Sequence, residues 1–409
     1  MTTFRTYQKE KDFEAVLRIY REVGWATEKP HEHAVQALLE SGRGLVAEVQ
    51  GSAESMAMGD TGSVRYLGND LPLCVVTSVI TSRIARKRGL AGRLTAQLLA
   101  EEASRGHAVA MLGIFEQGYY NQLGFGNGGY EHGCTLDPSM LEIPVKADVP
   151  VRLGSDDWQA MHDGRLARLR MHGSCSISSA ALTRADVLWS EHGFGMGYLD
   201  DQGELSHHIW CESKGEHGPY RVNWMAYRTK DQFLELMALL HSLGEQVRSI
   251  RLSEPPGIQL QDFIRQPFRM RQITKQSTHE NRMTANAYWQ VRILDLRRCV
   301  AAIALDVEPI RFNLTLTDPV TTSVPDECQW KGIAGDYTVA LGPESAVEQG
   351  LSQGLPTMRA SVNAFSRLWF GIRPATSLSW SDDLEAPKAL LHQLDQSLRL
   401  PAPLPDWEF

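Results

Sequence analysis

The residues Arg86-Lys87-Arg88-Gly89-Leu90-Ala91-Gly92 set three cations and two glycines directly before a helical apolar pattern, Leu94–Ala103. A helix start leaves several backbone N–H groups without intrahelical partners, and the helix dipole adds partial positive charge there. Glycine lets that backbone approach an anion closely and take up positive φ. The turn is therefore a candidate cradle for a diphosphate. Its spacing is neither the nucleotide loop G-x-x-x-x-G-K-[ST] nor the dinucleotide loop G-x-G-x-x-G. It fits [Q/R]-x-x-G-x-[G/A], read on Arg86, Gly89 and Ala91. A solvated basic turn capping a surface helix has the same composition. The apolar run Val75–Ser82 ahead of the turn and the helix behind it favour the cradle. About one short strand later stands Tyr119-Tyr120-Asn121-Gln122-Leu123-Gly124-Phe125-Gly126, which brings a phenol to the end of the next strand. Strand, anion loop, helix and tyrosine together describe a holder for a pyrophosphate-bearing cofactor.

On these residues the chain resembles the GCN5-related N-acetyltransferases (GNAT), a family that binds acetyl-CoA at this element. More narrowly, L-P-L-C-V-V-T-S-V from Leu71 to Val79, with R-K-R-G-L and the later Y-Y-N-Q-L-G-F-G, is similar to the enhanced intracellular survival (Eis) group. Members of that group carry R-R-R-G-L followed by I-Y-G-R-F-G-Y-G. The resemblance covers essentially the whole chain and is closest over Val75–Gly126.

The resemblance implies acetyl transfer from a thioester to an amine. That reaction needs a neutral amine, a polarised carbonyl, a proton for the leaving thiolate, and the two reactants held together. The family polarises the carbonyl with main-chain N–H groups of the splayed strand before the loop. The matching residues here are Val79, Ile80 and Thr81, with Arg86, Lys87, Arg88, Gly89, Leu90, Ala91 and Gly92 holding the cofactor. A thiol has a pKa near ~8.5 and a phenol near ~10, so a tyrosine can protonate the thiolate without a large shift. The spacing Y-x-x-x-G-[FY]-G matches Tyr120 to the group's general acid, with Tyr119 as the neighbouring alternative. In the group the base is the chain's own terminal carboxylate, here that of Phe409, carried on an aromatic ending, Asp406-Trp407-Glu408-Phe409. A free α-carboxyl near pKa ~3.5 is a weak base unless burial raises it. Glu408 is the candidate for holding a cationic amine and Trp25 for an aromatic wall, with Glu116 and Asp70 as further acidic candidates. The chain departs from the group at Arg83, where a proline is usual, and at Asn121-Gln122, which replace a glycine-arginine pair. These departures bear on amine specificity and leave the cofactor reading intact.

Composition narrows the rest. The 409 residues suffice for two or three domains, with an ordinary hydrophobic fraction of 43% and charged fraction of 22%. No apolar run approaches the roughly 18 residues a membrane span needs, and the N-terminus lacks a secretion signal. Six scattered cysteines without a C-x-x-C pair argue against a zinc site or a disulfide framework, and no metal is expected. A reducing cytoplasm follows. A net charge of −8 disfavours nucleic acid and suits a cationic substrate.

The patterning predicts an α/β (α+β) chain with mixed central sheets flanked by helices. Asp12 is placed as cap of a helix over Phe13–Val23, Gly51–Gly62 as a small-residue connector, Val75–Thr81 as the central strand and Gly92–Arg105 as the cofactor helix. A proline-marked linker, Pro144–Val151, precedes a second unit that lacks an R-x-x-G-x-G loop. The resemblance implies tandem GNAT domains over 1–145 and 146–286, the second without cofactor. A sterol carrier protein-like α/β domain over 287–409 then supplies the terminal carboxylate. It also implies a homo-oligomer, a hexamer among the relatives. The function expected is acetyl-CoA-dependent N-acetylation of an aminoglycoside, polyamine or lysine-like amine in a ternary complex. The alternatives are a non-catalytic binding or regulatory protein and a lipid carrier acting through the last domain.

Overall fold

In the computed structural model, which describes residues 2–408, the stretch read as a connector runs inside a long strand. Ser52–Tyr66 (β1) pairs antiparallel with Arg43–Val49 on one side and with Asn69–Thr81 (β2) on the other. Its small residues suit a strand covered closely by a neighbour. A Cβ at Gly59 would stand 3.1 Å from Cys74 Sγ and 3.3 Å from Leu98. Composition suggested a loop; helix packing requires a strand. The first helix also starts earlier than expected, at Lys9, with Gln8 as its cap. Asp12 lies one turn inside, where its carboxylate accepts the Gln8 N–H at 2.8 Å and pairs with Arg5 at 2.7 Å.

From β2 the chain turns through Ser82–Gly89 into Leu90–Ser104 (α1) and returns as Val109–Gly113 (β3). β3 lies parallel to β2 from Leu73↔Val109 to Val76↔Leu112. Leu94, Leu98 and Leu99 of α1 are buried against Cys74 and Val76 of the sheet. A segment from far along the chain, Trp289–Ile293, pairs with the other edge of β3, and Cys175–Ile177 adds to β1. The first sheet thus has eight strands drawn from three stretches of sequence.

The second sheet has seven strands. Its centre repeats the same unit: Tyr220–Ala226 (β4), Lys230–Ser242 (α2) and Ile250–Ser253 (β5), with β4 and β5 parallel. Glu131–Leu136 leaves the first sheet and enters the second between β5 and Arg282–Asn286. A third, five-stranded sheet is built around Ile310–Thr317 and Gly335–Leu341. It shares one apolar core with the first, where Tyr66 stacks on Trp369 at 4.7 Å. No helix among the described residues is long and apolar enough to cross a membrane.

Candidate active site

The site begins where β2 and β3 part. Their ladder ends at Val76↔Leu112. On the other flank, the register of β2 against β1 slips between Thr77↔Met58 and Ile80↔Met56, so Ala57 faces both Ser78 and Val79. Ser78 has φ +51°. This bulge bends β2 away and frees main-chain groups toward β3. Ser78 is held by the buried Tyr20 hydroxyl, which donates to its Oγ at 2.6 Å. Downstream, Ile80 and Thr81 return to the ladder: Ser55 Oγ donates to the Ile80 carbonyl at 2.9 Å and lies 2.8 Å from Thr81 Oγ1. Of the three strand residues expected at the carbonyl, Val79 lines the resulting cavity, together with Val76–Ser78. Ile80 and Thr81 face the neighbouring strand.

The loop that follows is exposed at Arg86, Lys87, Arg88 and Gly89. Gly89 caps α1 with φ +72° and no side chain, so the first-turn N–H groups stay free of an internal cap. Leu90 is buried beneath, and Ala91 and Gly92 are half-buried. This cradle fits a diphosphate. Arg83, where the resemblance leads one to expect proline, has its N–H donating to Glu22 at 2.6 Å, an interaction proline cannot make.

Tyr120 begins a short turn, Tyr120–Leu123, closed by Gly124 at φ +85°. Asn121 fastens that turn: its side chain accepts from Gly118 N–H at 3.0 Å and donates to the Phe125 carbonyl at 2.9 Å. From the helix Val362–Trp369, Asn363 donates to the carbonyls of Asn121 and Phe125 at 2.9 and 2.8 Å. Arg292, paired with Asp318 at 2.8 Å, donates to the Leu123 carbonyl. The two tyrosine rings meet edge-on at 4.9 Å but line different cavities. Tyr120, 3% exposed, lines the cavity beside Val79. Tyr119 lies on a separate cavity with Gly89 and Gly92. Burial pushes the Tyr120 phenol upward, with Tyr119 adding to the effect, so it keeps its proton across the neutral range.

The main cavity measures about 600 Å³. Tyr20, Trp25, Trp189 and Tyr288 give it an aromatic wall. Trp25 is 44% exposed, packs edge-on to Tyr20 at 5.9 Å, and accepts the Trp189 Nε1–H at its carbonyl at 3.3 Å. Three carboxylates line it: Glu131, Asp186 and Glu408. Glu408 pairs with Arg221 at 2.8 Å, and Asp186 with Arg165 at 2.8 Å. Burial lifts Asp186 to about 6 despite Arg165. Burial, reinforced by Glu408 and Asp406, lifts Glu131 to about 7.

The tail reaches the cavity on fixed anchors. Arg168 donates to the Asp406 carboxylate and carbonyl, each at 2.8 Å, and Arg165 stacks on Trp407 at 3.7 Å. Phe409 lies outside the described residues. Asp70 is bridged to Arg170 at 2.9 Å and Arg65 at 3.3 Å at the far end of β2 and does not line the cavity. Nor does Glu116, which is exposed. Sequence reasoning missed Glu131, Asp186, Trp189, Tyr288 and Arg221, which come from distant segments and share no motif. Among the described residues no group of three or more His, Cys, Asp or Glu is placed to hold a metal ion.

Residues 4–128 match the acetyltransferase (GNAT) domain family. The chain is an enzyme carrying a GNAT acetyltransferase domain. Bulge, open strand gap and uncapped basic loop all fall inside that match. The chain is 24% identical to an uncharacterized N-acetyltransferase of Streptomyces avermitilis over 336 residues, which span 76% of this chain and 74% of that protein. In fold it is similar over 100% of both chains to a probable N-acyltransferase of Enterococcus faecalis, with a TM-score of 0.80 at 16% identity. It is likewise similar to Eis1 of Mycobacterium abscessus over 100% of both chains, with a TM-score of 0.75 at 17% identity. The mixed α/β fold extends across all three sheets in these likenesses.

Proposed function

We propose that the protein transfers an acetyl group from acetyl-CoA directly to a cationic amine, such as an aminoglycoside, a polyamine or a lysine side chain, in a ternary complex. The observation that carries this reading is one cavity that joins the strand gap, Tyr120 and three carboxylates within an aromatic wall. Carboxylates and aromatic faces together favour an ammonium group. Arg86–Gly92 hold the diphosphate, and freed main-chain N–H groups of the bulged strand polarise the thioester carbonyl. The amine, once neutral, attacks the carbonyl carbon; the C–N bond forms and the C–S bond breaks. The Tyr120 hydroxyl gives its proton to the departing sulfur and recovers one from the acetylated nitrogen through water. Its raised pKa keeps that proton in place until the sulfur carries charge. Glu408 and Asp186 hold the ammonium and Trp25 walls it in.

We read 1–145 as the acetyl-CoA-binding domain, 146–286 as a second GNAT-like domain without cofactor, and 287–409 as a sterol carrier protein-like domain. The last supplies Asn363 and Arg292 to the catalytic turn and delivers the tail. The test is steady-state CoA release from acetyl-CoA with spermine, kanamycin and a lysine peptide. Amine-dependent release with one acetyl group found on the amine is expected. Acetyl-CoA binding without release on any of the three would overturn the cationic-amine reading.

A further inference from the structure

Glu131 opens the strand that carries the chain from the Tyr120 turn into the second sheet. It pairs with Asn286 on one side only, because on the other side the β5 register ends at Ser253↔Gly133 and the last bond is from the Glu254 N–H to the His132 carbonyl at 2.8 Å. The unpaired flank faces the cleft. Glu131 lines the main cavity with Tyr120 and Val79, and also a smaller adjoining one of about 190 Å³ beside the tail. The other two carboxylates of the main cavity are each committed to an arginine. The Glu131 carboxylate has no hydrogen bond or ion pair among the described residues.

We propose that Glu131 is the proton acceptor that turns the bound ammonium into the attacking amine. The inference rests on the acetyl-transfer reading above. One ammonium N–H proton passes to a Glu131 oxygen, directly or across one water, and the nitrogen lone pair so freed attacks the thioester carbon. Glu131 then loses the proton to solvent between turnovers, so each cycle releases one proton overall.

The surroundings set when this carboxylate is a base. The tail presents Asp406 and Glu408, and Glu254, whose N–H donates to the His132 carbonyl, also lines the smaller cavity. Asp186 approaches from the side of the main cavity. The cations are Arg221 and Arg251 on neighbouring strands and Arg165 below, of which Arg221 and Arg165 are already paired with Glu408 and Asp186. Burial raises the phenols of Tyr20 and Tyr120, which are neutral in this range. Burial and the two tail carboxylates dominate, and Glu131 sits at about 7. It is anionic, and able to take a proton, above that value. Activity therefore rises with pH through about 7. A carboxylate near the working pH accepts a proton far more readily than one at the ordinary value near ~4.3.

The experiment compares kcat/KM against pH for the full chain, Glu131→Gln and Glu131→Ala, with spermine as acceptor and acetyl-CoA affinity measured calorimetrically in parallel. The expected result is a wild-type ascending limb near 7, below any limb from the amine itself. In Glu131→Gln that limb is lost and kcat/KM falls about 10²-fold, with acetyl-CoA affinity unchanged. Added formate should partly restore Glu131→Ala. A Glu131→Gln enzyme that keeps the limb and the rate would overturn the assignment while leaving acetyl transfer standing, and removal of the last residues would then identify a tail carboxylate as the base. Failure of the wild type to acetylate spermine, kanamycin or a lysine peptide would bring down both readings together.

Discussion

The chain builds the same strand–helix–strand unit twice and equips only one copy for an anion. β2–α1–β3 and β4–α2–β5 each place a helix between two parallel strands, and in each the first strand carries a bulge. In the first copy the helix is reached by an eight-residue basic turn, 82–89, and capped by glycine. In the second it is reached by Tyr227–Thr229, and the Thr229 side chain accepts the Gln232 N–H at 3.3 Å, with Asp231 in the first turn. One helix keeps its N-terminal donors free and positive; the other satisfies one donor itself and adds a negative charge. The strand gaps differ too. In the first sheet the gap opens onto Tyr120. In the second, a cavity flanked by β4 and β5 receives the tail, Asp406–Glu408. A duplicated architecture therefore gives one opening onto Tyr120 and one dock for the tail.

The largest effect should come from giving the first helix the second's chemistry. Gly89→Asp sets a carboxylate where the diphosphate would lie. Losing two charge-assisted hydrogen bonds, about 3 kcal/mol, should weaken acetyl-CoA binding about 10²-fold in a calorimetric titration. Tyr120→Phe comes next, with kcat down about 10²-fold and acetyl-CoA affinity intact. Tyr119→Phe should leave kcat nearly unchanged, because its hydroxyl faces the other cavity. Unchanged turnover in Tyr120→Phe would remove it as the acid.

Arg165→Leu tests the dock. It leaves half-buried Asp186 without its buried partner and frees Trp407. Stability should fall by about 3 kcal/mol in a urea melt, with a rise in the amine KM exceeding that in the acetyl-CoA KM. Equal rises in both would separate the tail from the amine. The smallest effect belongs to Thr229→Ala, about 1 kcal/mol of stability with no change in acetyl-CoA affinity.

These contrasts also mark what the sequence could disclose. The basic turn and the Tyr120 turn are each built from a few consecutive residues, so their spacing survives in one dimension. The Ser78 bulge does not announce itself, since Thr77, Ser78 and Val79 look like any strand. The carboxylates were harder still. Glu131 sits among Gly129, Tyr130 and His132 with no motif, and its pKa is raised by burial in a cleft, with Glu408 and Asp406, far along the chain, adding to the effect. The connector misread over Gly51–Gly62 has the same origin, for small residues indicate a loop until the helix packed over them is known. Asn121, read from the sequence as a departure bearing on specificity, braces the Tyr120 turn.

The number of acetyl-CoA sites per chain separates the two strand–helix–strand units most directly. Calorimetric titration of the full protein should give one acetyl-CoA per chain, abolished or severely weakened by Gly89→Asp and untouched by Thr229→Ala. Two sites per chain, or binding indifferent to Gly89→Asp, would contradict the claim that the uncapped loop of the first unit is what makes this molecule an acetyltransferase.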